Sequence, residues 1–213
     1  MPTLCERPDI SIIVPVYNLE KHLDPLIFSL MMQELGDYTA EIIFVLNNCT
    51  DNSEQVIRGW GLDCTILTCE EQGCGCARNV GFEHSSGEYI WYIDGDDWLV
   101  SKTAIRDVLD RAKGLDIIYI PFESKTFTWQ YFSMVAQYLM RREFIQEFRF
   151  RQAMPGEDDA YMGQVLAKAG HSRFDYWTLP AMDRPQWYYN YGREGSNMWR
   201  VARGEDINIP PIR

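Results

Sequence analysis

Two long apolar runs, each ending on polar residues, constrain the fold more than any other feature of the sequence. Residues 11–18 read Ser-Ile-Ile-Val-Pro-Val-Tyr-Asn, and residues 41–46 read Glu-Ile-Ile-Phe-Val-Leu before Asn47. Continuous runs of this kind are typical of parallel strands that are buried on both faces. Between them, over 23–31, apolar residues recur at helical spacing, and Pro25 falls in the first turn, where a helix tolerates it. The alternation predicts an α/β chain with a mostly parallel sheet flanked by helices.

The alternation of strand and helix patterns continues along the chain. In the first half we predict further strands over 64–69, 88–93 and 116–120 and helices over 53–60, 76–84 and 103–113. In the second half we predict helices over 131–147 and 157–169 and strands over 174–179 and 186–191. Asp51 followed by Glu54 fits a capping box at the start of the helix over 53–60.

Polar residues follow the first, second and fourth strands, at the point where each strand ends. They are Tyr17, Asn47 and the acidic cluster over 94–97. Parallel strands end at the same edge of a sheet, and ligands of such sheets bind beyond that edge. We therefore expect these side chains to lie close together and to border a ligand site.

The acidic cluster contains the sequence Asp94-Gly95-Asp96. Two carboxylates this close repel each other unless a cation lies between them, and hard oxygen ligands suit Mg²⁺ or Mn²⁺. Such a metal would neutralise the charge of a diphosphate group. The alternative is a simple turn with solvated aspartates, and the place of the cluster at the mouth of a buried strand argues against it.

Glu157, Asp158 and Asp159 open the helix over 157–169. Acidic residues favour the first turn of a helix through the helix dipole, which is one explanation for all three. The other is catalytic, because a carboxylate can act as a general base on an attacking hydroxyl. Both explanations stay open on spacing alone.

A glycine-rich segment precedes Arg78. Gly73 and Gly75 would let the backbone approach a diphosphate, with a helix N-terminus and the arginine supplying positive charge. The alternative is a glycine-rich turn followed by a surface arginine. Cys74 and Cys76 in the same segment suggest a zinc site only weakly, because zinc sites pair a Cys-x-x-Cys spacing with a second ligand pair.

Composition excludes some classes of function and sets the expected compartment. Lys and Arg number 20 against 31 Asp and Glu, a formal net charge of −11, which argues against a nucleic-acid partner. We find neither a secretory signal nor an apolar stretch of about 18 residues that would span a membrane. We expect a cytoplasmic protein with reduced cysteines, whose membrane contact is peripheral, at the inner face.

The motifs together resemble those of glycosyltransferase family 2, whose members have the GT-A fold. The matching segments run from Ile10 to Ser196 and, in chain order, are 11–18, 41–45, 49–51, 77–81, 87–98, 156–158 and 189–196. The resemblance implies an inverting transfer of a sugar from a nucleotide-sugar donor to a hydroxyl of a glycan or lipid-linked acceptor. It also implies Mn²⁺ or Mg²⁺ as cofactor and a place in surface polysaccharide synthesis.

The resemblance also implies a role for individual residues. Nucleoside and diphosphate contacts are expected from Pro15, Tyr17, Asn47, Arg78, Asp94, Arg193 and Ser196. Asp96 would ligate the metal together with Asp94. Asp158 matches the expected base, with Glu157 beside it.

The sequence departs from the family pattern after the second strand. Leu46 and Asn47 stand where the family commonly has two aspartates. An aspartate there accepts a hydrogen bond from a ring N–H of the base, whereas Asn47 can both accept and donate. We expect a UDP-sugar as donor, with dTDP- and GDP-sugars as alternatives.

We expect a single GT-A domain over 1–213. It would comprise a nucleotide-sugar-binding half over 10–121, an acceptor half with the catalytic base over 122–200, and a tail over 201–213. Aromatic residues over 177–187 suggest a homodimer contact. Two further alternatives are a nucleotidyltransferase, which would need a lysine-containing glycine-rich loop after the first strand, and a non-catalytic nucleotide- or glycan-binding protein of the same fold.

Overall fold

The computed structural model describes residues 7–124, 134–151, 156–171 and 179–189. Their main sheet has six strands in the order β3-β2-β1-β4-β8-β6. These strands are β1 (Ile10–Val16), β2 (Ala40–Asn47), β3 (Thr65–Cys69), β4 (Tyr89–Tyr92), β6 (Ile117–Tyr119) and β8 (Tyr138–Arg141). The first four are parallel, and β8 runs antiparallel to both β4 and β6.

Helices cover both faces of this sheet, and a small second sheet lies beside it. The helices are α1 (Asp24–Met31), α2 (Ser53–Gly59), α3 (Cys74–His84), α4 (Ala104–Ala112), α5 (Arg142–Ile145) and α6 (Glu157–Lys168). The second sheet has the order β5-β9-β7, formed by Trp98–Leu99, Trp187–Tyr188 and Phe122–Glu123. The predicted class, a mostly parallel sheet flanked by helices, is confirmed.

The apolar run of β1 explains why this strand lies at the centre. Every residue of β1 is buried. Ile12 and Val14 face the layer that contains α1 and α4, whereas Ile13 faces the layer that contains α6. Burying such a side chain contributes about 1.5–3 kcal/mol, so a strand that is apolar on both faces is stable only between two helical layers.

The prediction of one helix over 131–147 is wrong for the residues that the structure describes. Residues 134–145 form a short 3₁₀ turn at Val135–Gln137, then β8, then α5. β8 lies between β4 and β6 and pairs with both, and Tyr138, Leu139 and Met140 are fully buried. Pairing with two distant strands outweighs the local helical preference of this apolar tract.

The predicted capping box at α2 is also wrong. The cap residue is Asn52, and its side chain makes no capping hydrogen bond. Asp51 instead accepts hydrogen bonds from the amide and hydroxyl groups of Ser53 and from the amide of Glu20. Asp51 therefore joins the start of α2 to the segment that follows β1.

The later strand predictions are only partly tested. The strand over 174–179 falls outside the described residues except at its last position, and the one over 186–191 is observed as Trp187–Tyr188. The predicted tail over 201–213 also lies outside the described residues. So does the tryptophan at 177, and the homodimer contact therefore stays a prediction. Within the described segments, the helices lack the combination of length and hydropathy that crossing a membrane requires.

Candidate functional site

The acidic loop after β4 lies across the end of β1. A methyl group added at Gly95 would come within 2.6 Å of Leu19 Cδ1 and 3.4 Å of the Pro15 carbonyl oxygen. The amide of Asp97 donates to the carbonyl of Asp94 at 3.0 Å and closes the turn. A side chain at position 95 would have to displace Leu19, so the acidic loop packs closely against the segment that follows the central strand.

Helix α3 lies against the sheet at the same edge. The residue before it, Gly73, has a backbone φ of 127°, a conformation that favours glycine. In the next turns, Gly81 packs directly on Ile13 of β1 and near Val45 of β2. The absence of a side chain at Gly81 brings α3 close to the strands and directs Arg78 into the interior.

Arg78 joins three carboxylates that are distant in the sequence. Its Nη2 lies 2.8 Å from Oδ1 of Asp94, and its Nη1 lies 2.6 Å from Oδ1 of Asp158 and 3.1 Å from Oε1 of Glu157. The Arg78 side chain is 4% exposed. Its guanidinium also lies over the ring of Phe150, 5.3 Å from the centroid. The arginine is therefore a buried link between the loop after β4 and the start of α6.

The first turn of α6 is arranged around this guanidinium. Gly156 precedes the helix in the left-handed conformation, with φ of 70°. The Asp158 carboxylate binds Arg78 through one oxygen, and its Oδ2 accepts a hydrogen bond from the Val135 amide at 3.2 Å. Contacts to two other elements exceed what a favourable helix dipole requires, which supports a specific role for Asp158.

Burial and charge act in opposite directions on these carboxylates. Burial raises the pKa of Asp158 above its ordinary value, and the Arg78 guanidinium opposes that rise. Glu157 shows the same balance, because burial raises the pKa of its carboxyl group and Arg78 opposes the shift. Both groups hold a proton more readily than a solvated carboxylate would, which suits a group that accepts one during a reaction.

Asn47, at the end of β2, is 5% exposed and is bonded to the segment that follows β3. Its Nδ2 donates to the carbonyls of Cys69, at 3.2 Å, and Glu71, at 2.5 Å. Its Oδ1 accepts from the amide of Gly73 at 3.0 Å. Tyr17, at the end of β1, is 58% exposed at the same edge.

The predicted metal ligands fit a hard divalent cation that is shared with a substrate. Across the described ranges, no three or more His, Cys, Asp or Glu side chains form a group that could hold a metal ion. Mg²⁺ in phosphate-transferring sites commonly takes one or two carboxylates, with water and phosphate oxygens as the other ligands. Asp94, 37% exposed, and Asp96, partly exposed in the same turn, offer that oxygen donor set.

The cysteines of the glycine-rich segment are free thiols. Burial raises the pKa of Cys74 well above its ordinary value and that of Cys76 to about 11. Burial therefore favours the neutral thiol at both positions.

The structure brings together four of the residues that the sequence singles out, and it adds others. Arg78, Asp94, Glu157 and Asp158 form one cluster, whereas Arg193 and Ser196 lie outside the described residues. Sequence reasoning missed Phe150, beneath the guanidinium, and Val135, which binds Asp158. An isolated aromatic residue and a backbone amide in an apolar tract carry no sequence signal for such contacts.

Comparison with known sequences gives a family model and relatives that agree with one another. A family model described as "Glycosyl transferase family 2" matches residues 11–164. Glycosyltransferase GlyA of Streptococcus pneumoniae is 36% identical over 93 residues, which cover 42% of this chain and 13% of GlyA. Poly(ribitol-phosphate) beta-N-acetylglucosaminyltransferase TarS of Staphylococcus aureus is 31% identical over 101 residues, which cover 46% of this chain and 18% of TarS. The matched stretch is thus less than a fifth of either relative.

Comparison with solved structures gives the same fold. The crystal structure of S. aureus TarS 1-349 in complex with UDP-GlcNAc has a TM-score of 0.77 at 21% identity and covers 90% of this chain and 60% of that one. Mannosyltransferase PcManGT from Pyrobaculum calidifontis, in complex with GDP-Man and Mn²⁺, has a TM-score of 0.67 at 17% identity and covers 93% of this chain and 61% of that one. At these identities the likeness establishes the fold.

Proposed function

This chain belongs to glycosyl transferase family 2, and on that premise we propose that it transfers a sugar, with inversion, from a nucleoside-diphosphate donor to a hydroxyl group. The observation that carries the proposal is the Arg78 cluster. One buried guanidinium holds Asp158 and Asp94, which come from the start of α6 and the end of β4. A candidate base and a candidate donor-side carboxylate therefore lie within the reach of a single side chain.

The proposed reaction is a single in-line displacement. The acceptor hydroxyl gives its proton to Asp158 while its oxygen attacks the anomeric carbon of the donor sugar. The bond from that carbon to the diphosphate oxygen breaks, and the nucleoside diphosphate leaves with the electron pair. One attack from the opposite side inverts the anomeric configuration, so one base is sufficient. Glu157 and Arg78 keep the Asp158 carboxylate oriented.

The donor side is assigned to the loop after β4 and to the ends of β1 and β2. Pro15, Tyr17 and Asn47 border the nucleoside in this proposal, and the ribose lies near Asp94. Asp94 and Asp96 would hold Mn²⁺ or Mg²⁺, which supplies positive charge to the leaving diphosphate. An excess of carboxyl groups supports the assignment, because one arginine, Arg78, contacts three of them.

A UDP-sugar is the proposed donor, carrying a hexose or an N-acetylhexosamine. TarS in its complex with UDP-GlcNAc supports this choice, and PcManGT with GDP-Man makes a GDP-sugar the alternative. The acceptor is proposed to be a glycan or a lipid-linked glycan in surface polysaccharide synthesis; the acceptor in the name of TarS, poly(ribitol-phosphate), supports a polymeric acceptor. We place the reaction in the cytoplasm, at the inner membrane face when the acceptor is lipid-linked.

Replacement of the base tests the proposal. Asp158→Asn keeps the size of the side chain but removes its basicity, so UDP release from UDP-sugars in the presence of acceptor should fall by about 10²–10⁴-fold. Affinity for the donor, measured by calorimetry, should change by less than about twofold, because the base contacts the acceptor. Asp159→Asn, the same change one position along α6, is the matched control and should keep its activity.

Two results would contradict the proposal. Full turnover by Asp158→Asn would remove this residue as the base. Metal-dependent nucleotide binding by a wild-type protein that releases no nucleotide from any nucleotide sugar would instead indicate the non-catalytic binding protein.

A further inference from the structure

Two consecutive asparagines at the end of β2 bind the backbone that leads from β3 to α3. Asn47 makes three of these hydrogen bonds, to the carbonyls of Cys69 and Glu71 and from the amide of Gly73. Asn48 adds a fourth from its Nδ2 to the Glu70 carbonyl at 3.1 Å. The strand pairing of β2 with β3 ends at Asn47, so these side chains continue the attachment beyond the sheet.

The bonding leaves Asn47 no free donor and one free lone pair, on Oδ1, with which to contact a nucleobase. Its Nδ2 has two hydrogens, and the carbonyls of Cys69 and Glu71 take both. Its Oδ1 already accepts from Gly73, and the residue is 5% exposed. A side chain that is buried with its donors occupied is better placed to fix a loop than to distinguish one base from another.

The segment that Asn47 holds leads directly into the site. Gly73 immediately precedes α3, and Gly75 lies in the first turn of the helix. A methyl group at Gly75 would come within 2.7 Å of Phe150 Cβ and 3.0 Å of Glu157 Oε2, so the helix start is packed against the carboxylate cluster. One turn further along, Arg78 binds Asp94 and Asp158. A displacement of Gly73 would therefore also displace the start of α3 and Arg78, on the donor side of the site.

We propose that Asn47 is a positioning residue for donor binding. It holds residues 70–73 and the start of α3 in the conformation that accepts the nucleotide, and it does so for every base alike. The inference rests on the proposed function, because it concerns the nucleotide subsite of the same site. It differs from the expectation drawn from the family pattern, in which the residue at this position contacts the base.

Asn47→Asp separates these two roles. A carboxylate cannot donate to the carbonyls of Cys69 and Glu71, and it would place negative oxygens against them at 2.5–3.2 Å. If Asn47 positions the loop, only a fraction of molecules keeps the binding conformation, and the apparent Kd rises by the inverse of that fraction. We expect a rise of about tenfold for UDP, GDP, dTDP and CDP, each with Mn²⁺, and a similar rise for Asn47→Ala.

Gln33→Glu is the matched control. Gln33 makes the same pattern of bonds to α1, to the segment after β5 and to α4, with Nε2 donating to the carbonyls of Ser29 and Ser101 and Oε1 accepting from the amide of Ile105. The same amide-to-carboxylate change therefore removes two donated hydrogen bonds at a residue whose partners are not residues 70–73. Gln33→Glu should lower the melting temperature and leave every nucleotide Kd unchanged at 15 °C, well below unfolding.

Calorimetry at that temperature and steady-state kinetics distinguish the outcomes. The proposal predicts a uniform loss of nucleotide affinity in Asn47→Asp, with a raised KM for the donor and an unchanged kcat. A changed ranking of the four nucleotide affinities would show that Asn47 reads the base. Unchanged affinities would show that the hydrogen bonds of Asn47 to the segment over 70–73 have no effect on binding. Either result overturns the proposal.

Amide hydrogen exchange tests, without a ligand, whether Asn47 holds the segment over 70–73. The amide of Gly73 should exchange faster in Asn47→Asp than in the wild-type protein and should keep its wild-type rate in Gln33→Glu. An unchanged Gly73 rate in Asn47→Asp would overturn the positioning role. If the wild-type protein bound none of the four nucleotides, the proposed function would fail together with the binding half of this inference. The exchange rates would still decide whether Asn47 holds the loop.

Discussion

Replacement of Arg78 by methionine should destabilise the protein far more than replacement of an exposed arginine. Methionine keeps much of the volume of the arginine stem but removes the cation that Glu157 and Asp158 contact. These two carboxylates are 13% and 25% exposed, so without Arg78 they would be buried charges with no counterion. The loss of stability follows from the loss of this positive charge, and not from the number of contacts that Arg78 makes.

The expected magnitude can be bounded from the burial of each pair. Removing one partner of a buried ion pair typically costs about 3–5 kcal/mol. Asp94 is 37% exposed, so solvent screens it and its share is small. For a chain of this size, about 3–5 kcal/mol corresponds to a fall of roughly 6–20 °C in melting temperature.

Arg58→Met is the matched control for urea unfolding followed by circular dichroism. Arg58 also lies 2.8 Å from a carboxylate, that of Glu54, but the two side chains are 63% and 44% exposed. An exposed pair at this helical spacing is worth about 0.3–0.5 kcal/mol. The two variants therefore make the same chemical change and the same type of contact, and they differ in burial.

The cost of Arg78→Met should also depend on pH in a defined direction. Arg78 lowers the pKa of Glu157 and Asp158, so its removal raises both values further in the folded protein. The folded variant then binds more protons than the unfolded chain, and its stability rises as pH falls. The difference from wild type should narrow as the pH falls toward the ordinary pKa range of carboxyl groups. A variant no less stable than Arg58→Met, or a difference that does not narrow, would refute the buried cluster.

Two other predictions concern packing and proton transfer. Gly81→Ala should lower the free energy of unfolding in urea by about 1–3 kcal/mol, because its methyl group would overlap Ile13. Gly163→Ala, whose methyl group would have no atom within 4 Å, should raise that free energy by about 0.5–1 kcal/mol. Equal effects of the two substitutions would contradict the close approach of α3 to the sheet. The acid limb of donor turnover should lie above the ordinary aspartate range, because burial raises the pKa of Asp158, and it should move higher still in Arg78→Met. A limb that stays in place in this variant would show that Arg78 does not act on the base.

Much of the fold follows from local patterns, because the central strands are buried on both faces and their sequence records it. The run that forms β1 could be interpreted without any knowledge of its neighbours. β8 could not, since Tyr138, Leu139 and Met140 are as compatible with a buried helix as with a strand. Only pairing with β4 and β6, which are distant in the chain, decides between the two.

The candidate site, like the fold, has parts that the sequence predicts and parts that it does not. Asp94 and Asp158 are recognisable from their places, after a buried strand and in the first turn of a helix. The link between them is not, because Arg78 is 16 positions from Asp94 and 80 from Asp158. The bonds of Asn47 likewise join residues 22 to 26 positions apart. Residue types mark candidates, whereas their partners depend on tertiary contacts that one sequence does not encode locally.

The most direct test of the account is calorimetric titration of the protein with UDP, in the presence and absence of Mn²⁺. We predict binding that requires Mn²⁺ in the wild-type protein and in Asp37→Ala, a control at an exposed aspartate that precedes β2, at the end of the strand opposite to Asn47. The same titration of Asp96→Ala should give no metal-dependent binding. Mn²⁺-dependent UDP affinity that survives in Asp96→Ala, or a wild-type protein that is folded but binds neither UDP nor GDP with Mn²⁺, would contradict the account.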